Sequence, residues 1–171
     1  KKLKVLEIGS NDCTLLNYFK QNKCITVGVE PAKNLWKITK NNHDIFNSFY
    51  NSEVNNKLLK KYKYFDVIVA NNVFAHIDNI KKVFLLLKNL MHEKSLIIFE
   101  VSYLLDVINK NLFDTIYHEH LDYHSVIPLV VFFKKINLKI IDIEKVKSHG
   151  GSIRVFLAKN TKLKFYKTKK I

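Results

Sequence analysis

The sequence predicts an α/β fold: a doubly wound, mostly parallel seven-stranded sheet with helices on both faces and an antiparallel last strand. Three observations predict it. Apolar, β-branched runs alternate along the chain with stretches whose apolar residues recur at helical spacing, the pattern of repeated βαβ units. The run "FDVIVA" (residues 65–70) is apolar on both alternating sides, as a strand covered by helices on each face must be. The first apolar run passes straight into Gly9 and then into a helical stretch, the form of a strand-to-helix turn in such sheets.

Taken in order, "LKVLEI" (3–8) reads as a buried strand, followed by a helix over 14–23 with Leu15, Leu16, Tyr18 and Phe19 at helical spacing. "ITVGVE" (25–30) is the second strand, and Pro31 sits where a following helix takes its first residue. A third strand falls near 45–49, a helix over 54–62, and the fourth strand is "FDVIVA". A helix over 79–91 leads to the strand "SLIIFEV" (95–101) and a short helix near 104–111. A helix over 127–136 feeds "LKIIDIEKV" (138–146). After the turn "KSHGGS", "IRVFLA" (153–158) lies close enough to pair with it as an antiparallel edge. Residues 1–158 read as one domain, and the lysine-rich 159–171 as a frayed end or the start of a further lobe.

Composition narrows the function. A chain of 171 residues can bury about two-thirds of its unfolded surface as one domain. At 47% hydrophobic, with 12 Phe and 8 Tyr, it is far too apolar to be disordered. The formal charge of +14 invites a nucleic-acid reading, but Arg154 is the sole arginine and the lysines are scattered, which argues against a groove built to grip phosphates and bases. That charge does favour anionic small molecules, nucleotide-linked ones included. Cys13 and Cys24 are too few for a disulfide framework or a four-thiolate zinc site and fit a reducing cytoplasm. With no apolar leader and no apolar run long enough for a bilayer, the expectation is a cytoplasmic protein without a membrane span.

Glycine is scarce, so its positions are informative. Gly9 lets the backbone approach a ligand at the carboxyl end of the first strand, and Glu30 lies at the end of the second strand, where a carboxylate accepts hydrogen bonds from both hydroxyls of a ribose. Only the first glycine of a G-x-G-x-x-G pattern is present. A nucleoside-type ligand follows, either a nicotinamide dinucleotide or S-adenosylmethionine (SAM).

A second concentration of polar chemistry is "FDTIYHEHLDY" (113–123), which gathers Tyr117, His118, Glu119, His120, Asp122 and Tyr123 without a lysine. The histidine spacing is not H-E-x-x-H and no cysteine joins it, so no metal is predicted. If 117–120 is extended, Tyr117 and Glu119 share one side and the two histidines the other; if it is helical, Tyr117 and His120 face together. Tyr123 reads equally as a packing aromatic. His149, before Gly150 and Gly151, either lines a site or flanks a tight turn.

Five blocks, "EIGSNDCTLL", "VGVEPAKN", "NNVFAHI", "FDTIYHEHLDYHS" and "SHGGSIRV", stand in the same order as the motifs of the SAM-dependent sugar C-methyltransferases of deoxysugar biosynthesis, a Rossmann-like class I methyltransferase branch. The chain resembles that family over about residues 3–158. The resemblance implies SAM as cofactor, cradled by Gly9, Ser10 and Asn11, with Glu30 on its ribose and Asn71 and Asn72 lining the cleft. It places His76 at the active site, and makes Tyr117, Glu119 and His120 the "YHEH" signature, its last histidine the base. The family usually has glycine where this chain has Cys13, whose side chain either crowds the cofactor or points away. Family members are longer, so flanking lobes or another subunit are expected to complete the acceptor site for a nucleotide-linked keto-deoxysugar.

The chemistry agrees with that division. Forming a carbon nucleophile beside a ketone needs a base and a donor to the enolate oxygen. Imidazole, with an ordinary pKa of about 6.5, suits the first task. His120 is therefore the expected base, Glu119 the residue that orients or tunes a neighbour, and Tyr117 or His76 the donor. The alternatives are methyl transfer to another acceptor, RNA included, and a catalytically incomplete SAM-binding domain.

Overall fold

The computed structural model describes residues 1–159; the expected tail at 160–171 lies outside the described residues. Strands β1 (Lys4–Ile8), β2 (Ile25–Val29), β3 (Asp44–Phe46), β4 (Phe65–Asn71), β5 (Met91–Ser102), β6 (Lys139–Val146) and β7 (Ser152–Ala158) form one sheet in the order β3-β2-β1-β4-β5-β7-β6. Helices α1 (Thr14–Gln21), α2 (Lys33–Thr39), α3 (Ser52–Tyr62), α4 (Ile80–Asn89), α5 (Leu104–Asn109) and α6 (Val126–Lys135) connect them. Pairing is parallel from β3 through β5, and β7 is antiparallel to both β5 and β6. The predicted seven-stranded, doubly wound architecture is thus present. The last two strands do pair at the end of the sheet, with β7 slotted inside and β6 outermost.

Alternation within each strand explains why both faces read as apolar. Leu6 and Ile8 of β1 join a cluster with Val54 and Leu58 of α3, Phe84 and Leu87 of α4 and Phe133 of α6. Val5, one residue out of phase, packs with Leu16 of α1 and Trp36 of α2 on the other face. Phe84 anchors the larger cluster, with ring centroids 4.4 Å from Phe74 and 4.8 Å from Phe133. Such ring pairs contribute roughly 0.5–1.5 kcal/mol beyond their buried area.

The boundaries that moved have local causes. Pro31 precedes α2 instead of starting it: Ala32 is the N-cap, and its amide donates to Glu30 Oε1 at 2.8 Å, which fixes the chain before the helix begins. β3 ends at Phe46, after which Asn47 Nδ2 donates back to the Glu30 carbonyl at 2.8 Å and turns the chain. Met91 belongs to β5 and not to the preceding helix, because Phe65 donates to the Leu90 carbonyl at 2.9 Å and pairs with Met91 before the register shifts.

The order of strands creates the crevice. β1 lies between β2 and β4. The helices that follow β1 and β4 lie on opposite faces, so the connections after these two strands part at their carboxyl ends, where open sheets of this kind bind ligands.

The β6–β7 turn is built tightly. Gly151 has φ 145°, and an added Cβ would sit 2.0 Å from Asp106 Oδ2. Asp106 is buried, ion-paired to Lys145 at 2.6 Å and to Lys110 at 3.1 Å, and held below the usual carboxylate range chiefly by the Lys145 hydrogen bond. Gly151→Ala is expected to destabilise by about 2–3 kcal/mol, through backbone strain and displacement of Asp106. Urea unfolding measures this, and an unchanged midpoint would show that the turn yields freely.

Candidate functional site

The β1–α1 connection carries left-handed backbone at Gly9 (φ 68°), Asn11 (φ 48°) and Cys13 (φ 63°). At Gly9 an added Cβ would lie 2.7 Å from Val73 Cγ2, so the two connections that form the crevice approach too closely for a side chain there. Five amides of this loop are already bonded. Gly9 and Ser10 donate to the Val29 carbonyl (2.8 and 3.2 Å) and Cys13 to the Ser10 carbonyl (2.8 Å). Asn11 donates to Glu30 Oε2 (2.8 Å) and Thr14 to Asp12 Oδ1 (2.9 Å). Cys13 is 1% exposed and packs with Val5, Leu16, Ile45 and Val69. It takes the left-handed backbone a glycine would take, and its side chain points away from the crevice.

The crevice opens into a cleft of about 1010 Å³. Gly9, Ser10, Asn11 and Glu30 line it, as do Asn71 at the end of β4 and Asn72 and His76 from the connection after it. Ser10 is turned toward β2: an added Cβ at Gly28 would lie 2.6 Å from its Oγ. Glu7, not singled out from the sequence, also lines the cleft; it is 5% exposed, and its Oε2 has no hydrogen-bond partner among the described residues. Burial first, then the nearby charges of Asp12 and Glu30, push its carboxyl up to about 8. The available signal was a lone carboxylate inside the apolar run "KVLEI".

The "YHEH" segment folds as a turn, with the His120 amide donating to the Tyr117 carbonyl at 3.0 Å. Tyr117 and His120 therefore face together, as in the helical alternative. The Tyr117 hydroxyl lies 2.9 Å from His120 Nε2, and His120 Nδ1 lies 2.8 Å from the Thr115 carbonyl. A carbonyl only accepts, so Nδ1 carries the proton, and Nε2 of the neutral ring accepts from the phenol. By the same reasoning His76 Nδ1 donates to the Glu119 carbonyl at 2.9 Å. It is this carbonyl, and not the Glu119 carboxylate, that orients a neighbour.

Leu121 donates to the Ala75 carbonyl at 2.7 Å and fastens the segment to the 3-10 turn Phe74–His76, at the strand edge that also carries Gly9. Tyr117, Glu119 and His120 do not line the cleft themselves. They flank it through His76, whose ring centroid is 4.9 Å from that of His120. Tyr123 supports the turn, donating to the Thr115 carbonyl at 2.9 Å. His124 is buried, and burial lowers its pKa. His149 lines the cleft, with Nε2 at 3.2 Å from Asn72 Nδ2. Among the described residues no three His, Cys, Asp or Glu side chains gather to hold a metal ion, and no helix is long and apolar enough to cross a membrane.

Residues 1–143 match the family of methyltransferase domains. The chain belongs to that family. Among curated proteins this methyltransferase domain is similar to C-methyltransferase NovU of Streptomyces niveus, 33% identical over 155 residues that cover 90% of this chain and 37% of NovU. It thus spans little more than a third of that relative. Solved structures share the fold of this methyltransferase domain at low identity. The PH0226 protein of Pyrococcus horikoshii has a TM-score of 0.69 at 14% identity, over 92% of this chain and 82% of that one. Magnesium protoporphyrin IX methyltransferase (ChlM) of Synechocystis PCC 6803, with bound SAH, has a TM-score of 0.68 at 11% identity, over 93% and 75%.

Proposed function

We propose that the chain is the SAM-binding domain of a cytoplasmic C-methyltransferase whose acceptor is a nucleotide-linked keto-deoxysugar. One observation carries the choice of cofactor: the first loop is built for a cation and not for a diphosphate. A dinucleotide loop leaves amides at a helix start free to cradle phosphate. Here the amides of Gly9, Ser10, Asn11, Cys13 and Thr14 are committed within the protein, and Glu7, Asp12 and Glu30 put carboxylates around the cleft. Those groups fit SAM. Glu30, each of whose oxygens accepts one backbone amide, keeps lone pairs for the ribose hydroxyls, and the orphaned Glu7 oxygen suits a positive charge. When bound, SAM supplies an electrophilic methyl group.

The chain's own residues prepare the carbon that receives it. Tyr117 is 43% exposed and outermost, with His120 behind it. The C–H bond beside the ketone breaks as its proton passes to the Tyr117 oxygen and the phenol's own proton passes to His120 Nε2, leaving an enolate and an imidazolium. The hydrogen bond to the Thr115 carbonyl holds the ring for this transfer. His76, its Nδ1–H tied to the Glu119 carbonyl, offers Nε2 toward the cleft as an acceptor for a sugar hydroxyl. Similarity to NovU supports transfer to carbon. Phe113, Ile116 and Leu121, exposed around the Tyr117 turn, are the surface on which a flanking lobe or another subunit completes the acceptor site.

Calorimetry with SAM, SAH and NAD tests the cofactor assignment. SAM and SAH are expected to bind and NAD not to, and Glu30→Ala is expected to weaken SAH about 10–100-fold, the value of hydrogen bonds to a charged group. Binding of NAD in place of SAM would refute the assignment.

A further inference from the structure

We propose that His149 is the hydrogen-bond donor that holds the acceptor's carbonyl oxygen as it becomes an enolate, with Asn72 fixing the orientation of its ring. The inference rests on the C-methylation reading above. The donors first nominated for this task are committed elsewhere. Tyr117 directs its proton to His120 Nε2, and His76 directs its Nδ1–H to the Glu119 carbonyl.

His149 is differently placed. It lines the cleft, and its Nε2 accepts from Asn72 Nδ2 at 3.2 Å, so the proton of the neutral ring sits on Nδ1, which has no protein partner among the described residues. Asn72 lies on the same short connection as His76, whose ring centroid is 4.9 Å from that of His120, so His149 and the Tyr117–His120 pair both meet that one connection.

The backbone gives a second, independent argument. His149 (φ 49°, ψ 42°) and Asn72 (φ 55°) are both left-handed, a conformation uncommon outside glycine that Asn and His reach more readily than most side chains. The surrounding turn enforces it. Ser148 Oγ donates to Glu100 Oε1, Ser152 Oγ to the Ser148 carbonyl at 3.1 Å, and Lys110 Nζ to the Gly150 carbonyl at 2.5 Å. An added Cβ at Gly150 would lie 2.6 Å from Leu112 Cδ1, so the turn is held on that side too. Two turns far apart in sequence, each with a left-handed residue, thus meet side chain to side chain over the cleft, with a donor preorganised before any negative charge forms.

The test uses the whole chain saturated with S-adenosylhomocysteine and, as probe, a nucleoside-diphospho-4-keto-6-deoxyhexose. Proton NMR follows exchange of the hydrogen beside the ketone for solvent deuterium. His149→Ala is expected to slow exchange about 100-fold or more, while S-adenosylhomocysteine affinity stays within about twofold. His149→Gln restores an N–H and is expected to regain about tenfold of that loss, which a purely structural role would not produce. Exchange by the alanine variant at the wild-type rate overturns the assignment alone. A wild-type chain that binds both S-adenosylhomocysteine and the probe sugar but exchanges nothing overturns the C-methylation reading and the assignment with it.

Discussion

Raising the pH from about 5 to about 9 is expected to remove several kcal/mol of stability through Glu7, and Glu7→Gln is expected to restore most of it. Glu7 sits within β1, 5% exposed, and its Oε2 has no partner among the described residues. Burial, followed by Asp12 and Glu30, raises its carboxyl from 4.5 to about 8. The folded protein therefore binds a proton more tightly than the unfolded chain. The associated stability is fully present below the unfolded value and is lost as pH rises through the folded one. A gap of that width corresponds to roughly 4–5 kcal/mol at most, or on the order of 10 °C in melting temperature.

Two buried histidines act in the opposite sense. Burial lowers the pKa of His43 and of His124, so each contributes stability that is lost as pH falls. The raw pH curve is thus a composite, and the difference between wild type and Glu7→Gln isolates the carboxyl. Guanidinium unfolding at each pH measures it; a difference independent of pH would mean that Glu7 is ionised throughout. The same group makes cation binding proton-linked, because a positive charge beside Oε2 favours the carboxylate. Calorimetry in buffers of different ionisation enthalpy is expected to show proton release when SAM binds near neutral pH.

What the sequence made legible follows from how far each feature reaches. Strands buried on both faces, such as Phe65–Asn71, announce themselves in the apolar run alone. The positions of Gly9 and Glu30 at the cleft were legible because each depends only on its local turn or strand end. Glu7 was hidden by the opposite logic: in a buried strand a carboxylate looks like an exception to packing, and only the placement of Asp12 and Glu30 beside it reveals a charged cleft. The tie between Asn72 and His149 joins two turns that meet only once β7 is slotted beside β5, a pairing no local pattern encodes. Helix ends moved for the same reason. Leu90 leaves its helical pattern because Phe65 claims its carbonyl, and Glu30 displaces Pro31 from the start of α2 by bonding Ala32. The geometry of 117–120 was undecidable from spacing, because the turn is fixed by Thr115 and Ala75 on either side of it.

His120→Ala is expected to lower methyl transfer about 10²–10⁴-fold, the range for removing a positioned base, with S-adenosylhomocysteine affinity unchanged. The affinity holds because His120 lies outside the Gly9–Glu30 side of the cleft and meets it only through His76. Tyr117→Phe is expected to fall by a similar factor, since the proposed relay runs through the phenol, 2.9 Å from Nε2. If the two form one relay, the double variant loses no more than the worse single one, because either change breaks the same proton path. A Tyr117→Phe variant at the wild-type rate would remove the phenol from the path and leave Nε2 to meet the carbon directly. Full activity in His120→Ala would move the base elsewhere along the cleft. His76 would then be the group to test, since its Nδ1–H is likewise tied to a carbonyl and its Nε2 is left as an acceptor facing the same space.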